Sequence, residues 1–384
     1  MPARSSSFVV PYLLVGICAL VITFMVTPIV RWGAVRMGAV DRPSDRKVHA
    51  HPTPTLGGFA MALGILGAGL LAFYMPEFRA KFVDSSELLG IGAGAIAIFF
   101  LGAVDDLHDL PAPVKLAGQI FAAGIVFLSG VQMRFLLLPG GDVLALSDDF
   151  SVLLTIAWLV AMINAVNLVD GLDGLAAGLV AIAAASFFVY TFNLEVGGFN
   201  VAQSSAPLVA IIIVGVTLGF LRHNFFPAKI FMGDSGSMLL GLILGGATVA
   251  GIGSQGVGVS TAAANPTSQV FLAYFPLLIP LAVIAIPLAD ALFAIIRRAR
   301  KRRSVFHADK EHLHHRLMDL GHGHRQAVIV MYIWSALAAG AGLAFSFLDR
   351  SEVIFALPIA VAAIVLYTVF PVITKAIQDR TTPS

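Results

Sequence analysis

Asp105, Asp106 and Asp109 fall in the run DDLHD, directly against an apolar stretch long enough to cross a bilayer. Three more runs share that setting: NAVNLVDGLDG from Asn164 to Gly174, FMGDSGS from Phe231 to Ser237, and HADKEHLHHR from His307 to Arg316. Carboxylates are costly beside hydrocarbon, so their retention there points to function. Three acids packed this closely repel one another unless a cation or a proton relieves them. Mg2+ suits oxygen ligands and often works with substrate phosphates. The chemistry indicated is a metal-assisted phosphate site; the plainer alternative is a solvated polar loop between two spans.

The spacing of the other side chains extends this reading. On a helix, positions 105 and 109 share a face and 106 lies beside them. Asn164, Asn167 and Asp170 are three apart, so a helix end can aim them at one spot. The repeat Asp170-Gly171-Leu172, Asp173-Gly174-Leu175 supplies glycines that allow close backbone approach to a ligand. The next apolar run begins there, and its free N–H groups face the same place; an Asx-type turn with helix capping competes with this. Asp234 opens another apolar run, either as an N-cap or beside an anion held by exposed N–H groups. Phe231, just before it, either stacks on a base or faces lipid or core. Lys115 starts a further run, either snorkelling to the interface or serving the acids nearby. His312, His315 and Arg316 lie three or four apart with His314 alongside, a set able to hold a diphosphate. Zinc is the rival there, without a Cys or HExxH pattern to support it. The basic run from Arg297 to Arg303 reads as a topology anchor or lipid-headgroup patch. Asp290 either pairs with Arg297 or lines a cavity.

These residues must be positioned by membrane helices. The chain is 58% hydrophobic and only 12% charged over 384 residues, against roughly 25% charged in a soluble domain. A span needs about 20 mostly apolar residues. The fold expected is an all-α polytopic membrane protein with about eleven transmembrane helices, near 8–30, 56–75, 88–104, 114–130, 151–168, 174–193, 206–222, 235–252, 269–296, 326–347 and 353–374. The first run reads as a retained helix rather than a signal peptide. The ninth carries Pro276, Pro280 and Pro287 and is too long for a straight crossing, so a break or steep tilt is expected there. With the N-terminus outside, the cytoplasmic side receives 31–55, 105–115, 164–174, 222–234, 297–325 and the C-terminal tail. Those segments hold nineteen of the 24 Lys and Arg, a strong positive-inside bias. Every motif then lands on the cytoplasmic face of one integral-membrane domain, 1–384. Two short apolar runs around Pro139-Gly140-Gly141-Asp142 suit an outer β-hairpin. The single Cys18 excludes a disulfide framework. A net charge of +2 gives no reason to expect nucleic acid. A transporter is the rival class, because intramembrane acids and histidines also mark ion pathways; against it, the acids gather at one edge and no inverted repeat is visible.

From about Asp41 to Gln326 the chain closely resembles the polyprenyl-phosphate N-acetylhexosamine-1-phosphate transferases of glycosyltransferase family 4. RKxHxxPTPTLGG, DDxxD, NxxNxxDGxDGL, FMGDSGS and HLHHR occur in the family's order. The resemblance implies a Mg2+-dependent enzyme, with Mn2+ as a substitute, in a bacterial cell membrane. It would move a sugar 1-phosphate from a UDP-N-acetylhexosamine to a polyprenyl phosphate and release UMP. By the same resemblance Asp105 and Asp106 match the catalytic acid pair, and Asn167 and Asp234 match the metal ligands. Asp173 and Phe231 match the uracil-facing positions. Lys115, His312, His314, His315 and Arg316 match groups around the phosphates and sugar, while Lys47 and His49 match the first cytoplasmic loop. Asp109, Asn164 and Asp170 join the expected substrate-binding set from their motifs. The branch acting on UDP-N-acetylmuramoyl-pentapeptide carries a run of consecutive histidines and a basic residue where Asp109 stands. DDLHD and HLHHR are therefore more similar to the UDP-N-acetylglucosamine branch, with the muramoyl branch as the alternative. A family dimer is compatible with the sequence, which names no interface.

Overall fold

A computed structural model describes residues 2–41, 52–137, 143–196, 204–253, 277–285, 323–347 and 357–368. Two compact units result, Met1–Pro280 and Leu281–Ser384. In the first, α1 (Pro2–Met37) is followed by two antiparallel two-residue strands, β1 (Val40–Asp41) and β2 (Thr53–Pro54). Then come α2 (Gly58–Tyr74), a short 3-10 turn, α3 (Arg79–Val83), α4 (Glu87–His108) and α5 (Ala112–Leu128). Strand β3 (Phe135–Leu137) pairs antiparallel with β4 (Val143–Ala145), Leu136 opposite Leu144. Helices α6 (Asp148–Val169), α7 (Leu175–Val196), α8 (Ala206–Asn224) and α9 (Gly233–Gly253) follow.

Among the described residues, seven helices are long and apolar enough to cross a membrane, or eight if α2 is joined to Pro76–Val83 across a 91° bend. The expectation of eleven is therefore met only in part. Pro76 ends α2 after 17 residues. Helix α5 also has 17 residues, about 26 Å at 1.5 Å per residue, short of a roughly 30 Å hydrocarbon core. Residues 277–285 and Leu357–Thr368 are helical, but the rest of the ninth and eleventh expected spans, with Pro276, Pro287 and Asp290, lies outside the described residues. In the second unit, Ser335 Oγ donates to the Val283 carbonyl at 2.9 Å and Trp334 Nε1 donates to Thr368 Oγ1 at 3.2 Å.

Helix α9 is the core of the first unit. Its apolar window is wholly buried, and α2, α4, α6 and α8 pack around it. Side chains such as Leu66, Leu70, Phe121 and Leu153 stay exposed on the outer helices, as a lipid-facing surface requires. Between helices in lipid, small residues permit the closest packing. Gly102 on α4 is the decisive case, because a Cβ there would lie 2.6 Å from the Asp234 carbonyl carbon and from Ser235 Cα. This approach brings the last turn of α4 against the first turn of α9. Gly102→Val is expected to separate the two ends and to lower the thermal midpoint in detergent, with activity falling in parallel.

Candidate active site

The close approach at Gly102 sets up a cap supplied from another helix. Asp106 Oδ1 accepts the Asp234 N–H at 2.7 Å; its Oδ2 accepts the Ser235 N–H at 3.2 Å and the Ser235 hydroxyl at 2.7 Å. A carboxylate at a helix N-terminus satisfies orphan donors and complements the dipole. Gly233 makes room for it. Its φ is +71°, and a Cβ would stand 2.4 Å from Asp106 Oδ2. Asp106, rather than Asp234, is therefore the cap, and the N–H groups of Asp234 and Ser235 are already engaged by it.

Asp234 instead turns its carboxylate toward two other helices. Asn167, in the last turn of α6, donates from Nδ2 to Asp234 Oδ1 and to Ser237 Oγ, each at 2.9 Å. Lys115, in the first turn of α5, reaches Asp234 Oδ2 at 3.2 Å and forms an ion pair with Asp105 Oδ2. Asp105 is buried, and its Oδ1 accepts the Leu110 N–H at 2.8 Å. One ammonium thus bridges acids from α4 and α9, and an amide from α6 grips the second acid. Of the two options for Lys115, contact with the acids is the one realised.

The loop Asp170–Gly174 closes the group. Asp170 is half-buried. Burial, then the charges of Asp234, Asp106 and Asp173, push its carboxyl up to about 8. The folded chain then holds a proton that the unfolded chain, titrating near 3.8, has released. Stability tied to this group is complete below pH 4 and is lost as pH rises toward 8. In chelator, the thermal midpoint should fall over that window, and Asp170→Asn should flatten the decline.

Asp173 Oδ2 accepts the Ala228 N–H at 2.9 Å. Asn224, buried at the end of α8, accepts the Gly174 N–H at 3.1 Å and donates to the Ile230 carbonyl at 2.9 Å. The Phe231 N–H bonds the Pro54 carbonyl, and its own carbonyl takes the Gly57 N–H, at 2.8 and 2.9 Å. Three loops distant in sequence are thereby laced together, with Phe231 half-buried among them.

Two expected members sit elsewhere. Asp109 does not share a helical face with Asp105. It ends α4 in the left-handed region, at φ 49°, and is exposed. Asn164 does not aim with Asn167 and Asp170; it pairs with Gln119 of α5. Lys47, His49, His312, His314, His315 and Arg316 lie outside the described residues. Sequence reasoning missed Gln119 and Asn224, and gave no role to Ser235 or Ser237. Only the two serines carried a signal, because they stand inside FMGDSGS.

Residues 88–252 match the model of glycosyl transferase family 4, a stretch that runs from α4 to α9 and carries every site residue named above from Asp105 to Asp234. The chain is 41% identical over 373 residues to the decaprenyl-phosphate N-acetylglucosaminephosphotransferase of Mycolicibacterium smegmatis, covering 94% of this chain and 89% of that one. It is 43% identical over 337 residues to the protein of that name from Mycobacterium tuberculosis, covering 85% and 80%. It is 35% identical over 322 residues to a probable undecaprenyl-phosphate N-acetylglucosaminyl 1-phosphate transferase of Bacillus subtilis, covering 83% and 80%. A polytopic helical protein with this site and these relatives belongs to glycosyl transferase family 4.

Proposed function

We propose that the chain transfers N-acetylglucosamine 1-phosphate from UDP-N-acetylglucosamine to a polyprenyl phosphate, decaprenyl or undecaprenyl, and releases UMP. The site faces the cytoplasm of a bacterial cell, and the product starts a cell-envelope polysaccharide. The observation that carries this reading is the convergence of Asp105, Lys115, Asn167 and Asp234 from four helices. The names of the relatives support the choice of sugar and lipid.

The physical problem is joining two anions. A lipid-phosphate oxygen forms a bond to the β-phosphorus of the donor, and the bond from that phosphorus to the bridging oxygen breaks, so UMP leaves with the electron pair. Lys115 supplies fixed positive potential where the phosphates meet. Asp105 accepts the lipid-phosphate proton or orients that group. Asp106 holds the first turn of α9, and with it Asp234, at a fixed place. Positioning and charge stabilisation then carry most of the rate.

Mg2+ fits this donor set. Asp234 offers a partly exposed carboxylate, and Asn167 keeps a carbonyl oxygen while its amide donates. One or two protein oxygens plus substrate phosphate are a usual way for this cation to be held. Bound between Asp234 and Asn167, Mg2+ or Mn2+ would supply neutralisation of the diphosphate and of the leaving UMP. The purified protein, given Mg2+, undecaprenyl or decaprenyl phosphate and a panel of UDP-sugars, should yield a lipid product with the mass of an N-acetylhexosamine diphosphate. A product formed only from the muramoyl-pentapeptide donor would overturn the reading.

A further inference from the structure

Gln119 is an amide buried to 2% exposure in an otherwise apolar stretch of α5. It lies one helical turn beyond Lys115, and its partner Asn164 lies one turn before Asn167 on α6. The pairing is reciprocal. Asn164 Nδ2 donates to Gln119 Oε1 at 2.7 Å, and Gln119 Nε2 donates to Asn164 Oδ1 at 3.4 Å. Asn164 Nδ2 also donates to the Val160 carbonyl of its own helix at 2.8 Å. Among the described residues, no other side-chain hydrogen bond joins α5 to α6. Apolar contacts slide at little cost, whereas a two-bond amide pair has one register; a single buried polar pair is the best-attested way to fix how two helices align. Left unpaired, a buried amide costs about 1–3 kcal/mol, while an apolar pair of the same shape can be as stable, so packing alone does not call for these two side chains.

We propose that Gln119 is a positioning residue, whose pair with Asn164 fixes the height of α5 against α6 and so places Lys115 opposite Asn167 and Asp234. The register follows from geometry alone. The kinetic consequence rests on the transferase reading above. A slide of one residue moves an ammonium by about 1.5 Å, and displacements near 1 Å cost on the order of 100-fold in rate.

Gln119→Leu keeps volume and removes the pair, and the exposed Asn164 retains its bond to Val160, so the variant should fold. In full-length protein with Cys18→Ser, spin labels at Leu128 on α5 and Leu153 on α6, both exposed, report the register. The expected result is a broader distance distribution in Gln119→Leu than in wild type. With it comes a fall in kcat of ~10- to 100-fold, a KM for the UDP-sugar within about threefold, and a thermal midpoint within a few degrees of wild type. The exchange variant Gln119→Asn with Asn164→Gln keeps the summed length of the two amides and should recover both the narrow distribution and the turnover. An unchanged distance distribution in Gln119→Leu overturns the proposal whatever the activity. So does wild-type kcat alongside a broadened distribution, or loss of kcat that only tracks loss of thermal midpoint. Absence of UMP release from wild type would instead sink the transferase reading, and the distance measurement still decides the register.

Discussion

Asp105→Asn and Asp106→Asn should both lose transfer, but for different reasons that a melting curve separates. Asp105 meets one backbone donor and one ammonium. Its amide analogue keeps an acceptor for Leu110 and loses only the charge that faces Lys115. Turnover should fall by roughly 10²- to 10⁴-fold, the range for a lost general base, while the thermal midpoint stays close to wild type. Asp106 accepts three donors with its two oxygens. An amide turns its NH2 against at least one of them, and a buried donor left unsatisfied costs about 1–3 kcal/mol. Asp106→Asn should therefore lower the midpoint by several degrees and loosen the first turn of α9, which presents Asp234. Equal midpoints for the two variants would remove the capping role assigned to Asp106. Gly233→Ala tests the same contact from the other side, since a methyl at φ +71° meets Asp106 Oδ2; it should resemble Asp106→Asn.

Lys115→Met is the second large effect. Lys115 is 28% exposed and lies between a buried Asp105 and a partly open Asp234. Without the ammonium, the carboxylates of Asp105 and Asp234 face each other with Asp106 nearby, and like charges this close repel. Two consequences separate this role from that of an interfacial anchor. In chelator the midpoint should drop at pH 8 and recover as the solution is acidified and the carboxylates protonate. Transfer should fall by about 100-fold or more, as when one preorganised charge-stabilising donor is lost. Lys115→Arg should recover part of the stability but little of the rate, because a planar fork does not replace a compact ammonium between two carboxylates. A Lys115→Met protein with wild-type turnover would place the phosphates elsewhere.

Much of the site was legible because chemistry there is written in short runs. Asp105, Asn167 and Asp234 stand in motifs at the ends of apolar stretches, and the structure brings all three to one place with Lys115. What could not be read were partners chosen across distance. Nothing near Asp106 in the sequence announces that it caps a helix 128 residues away. Asn164 repeats the spacing of Asn167 yet pairs with Gln119, because helix neighbours and not helix period decide which face is used. Asp109 follows the 105–109 spacing on paper, but α4 stops at His108 and the spacing loses its meaning. Asn224 lacked any local sign, since its value lies in joining Gly174 to Ile230. The span count was met only in part, for a related reason. Hydrophobicity marks where a segment is apolar, while length and Pro76 decide whether α2 and α5 reach across as single straight helices.

Following the donor's β-phosphate tests the central assignment most directly. UDP-N-acetylglucosamine radiolabelled at that phosphate is incubated with the purified protein, Mg2+ and decaprenyl phosphate, and both products are separated. Label in the lipid fraction with unlabelled UMP released in equal amount, and neither product from Asp234→Asn, is the expected result. Labelled UDP released beside an unlabelled lipid, or full label transfer by Asp234→Asn, would contradict it.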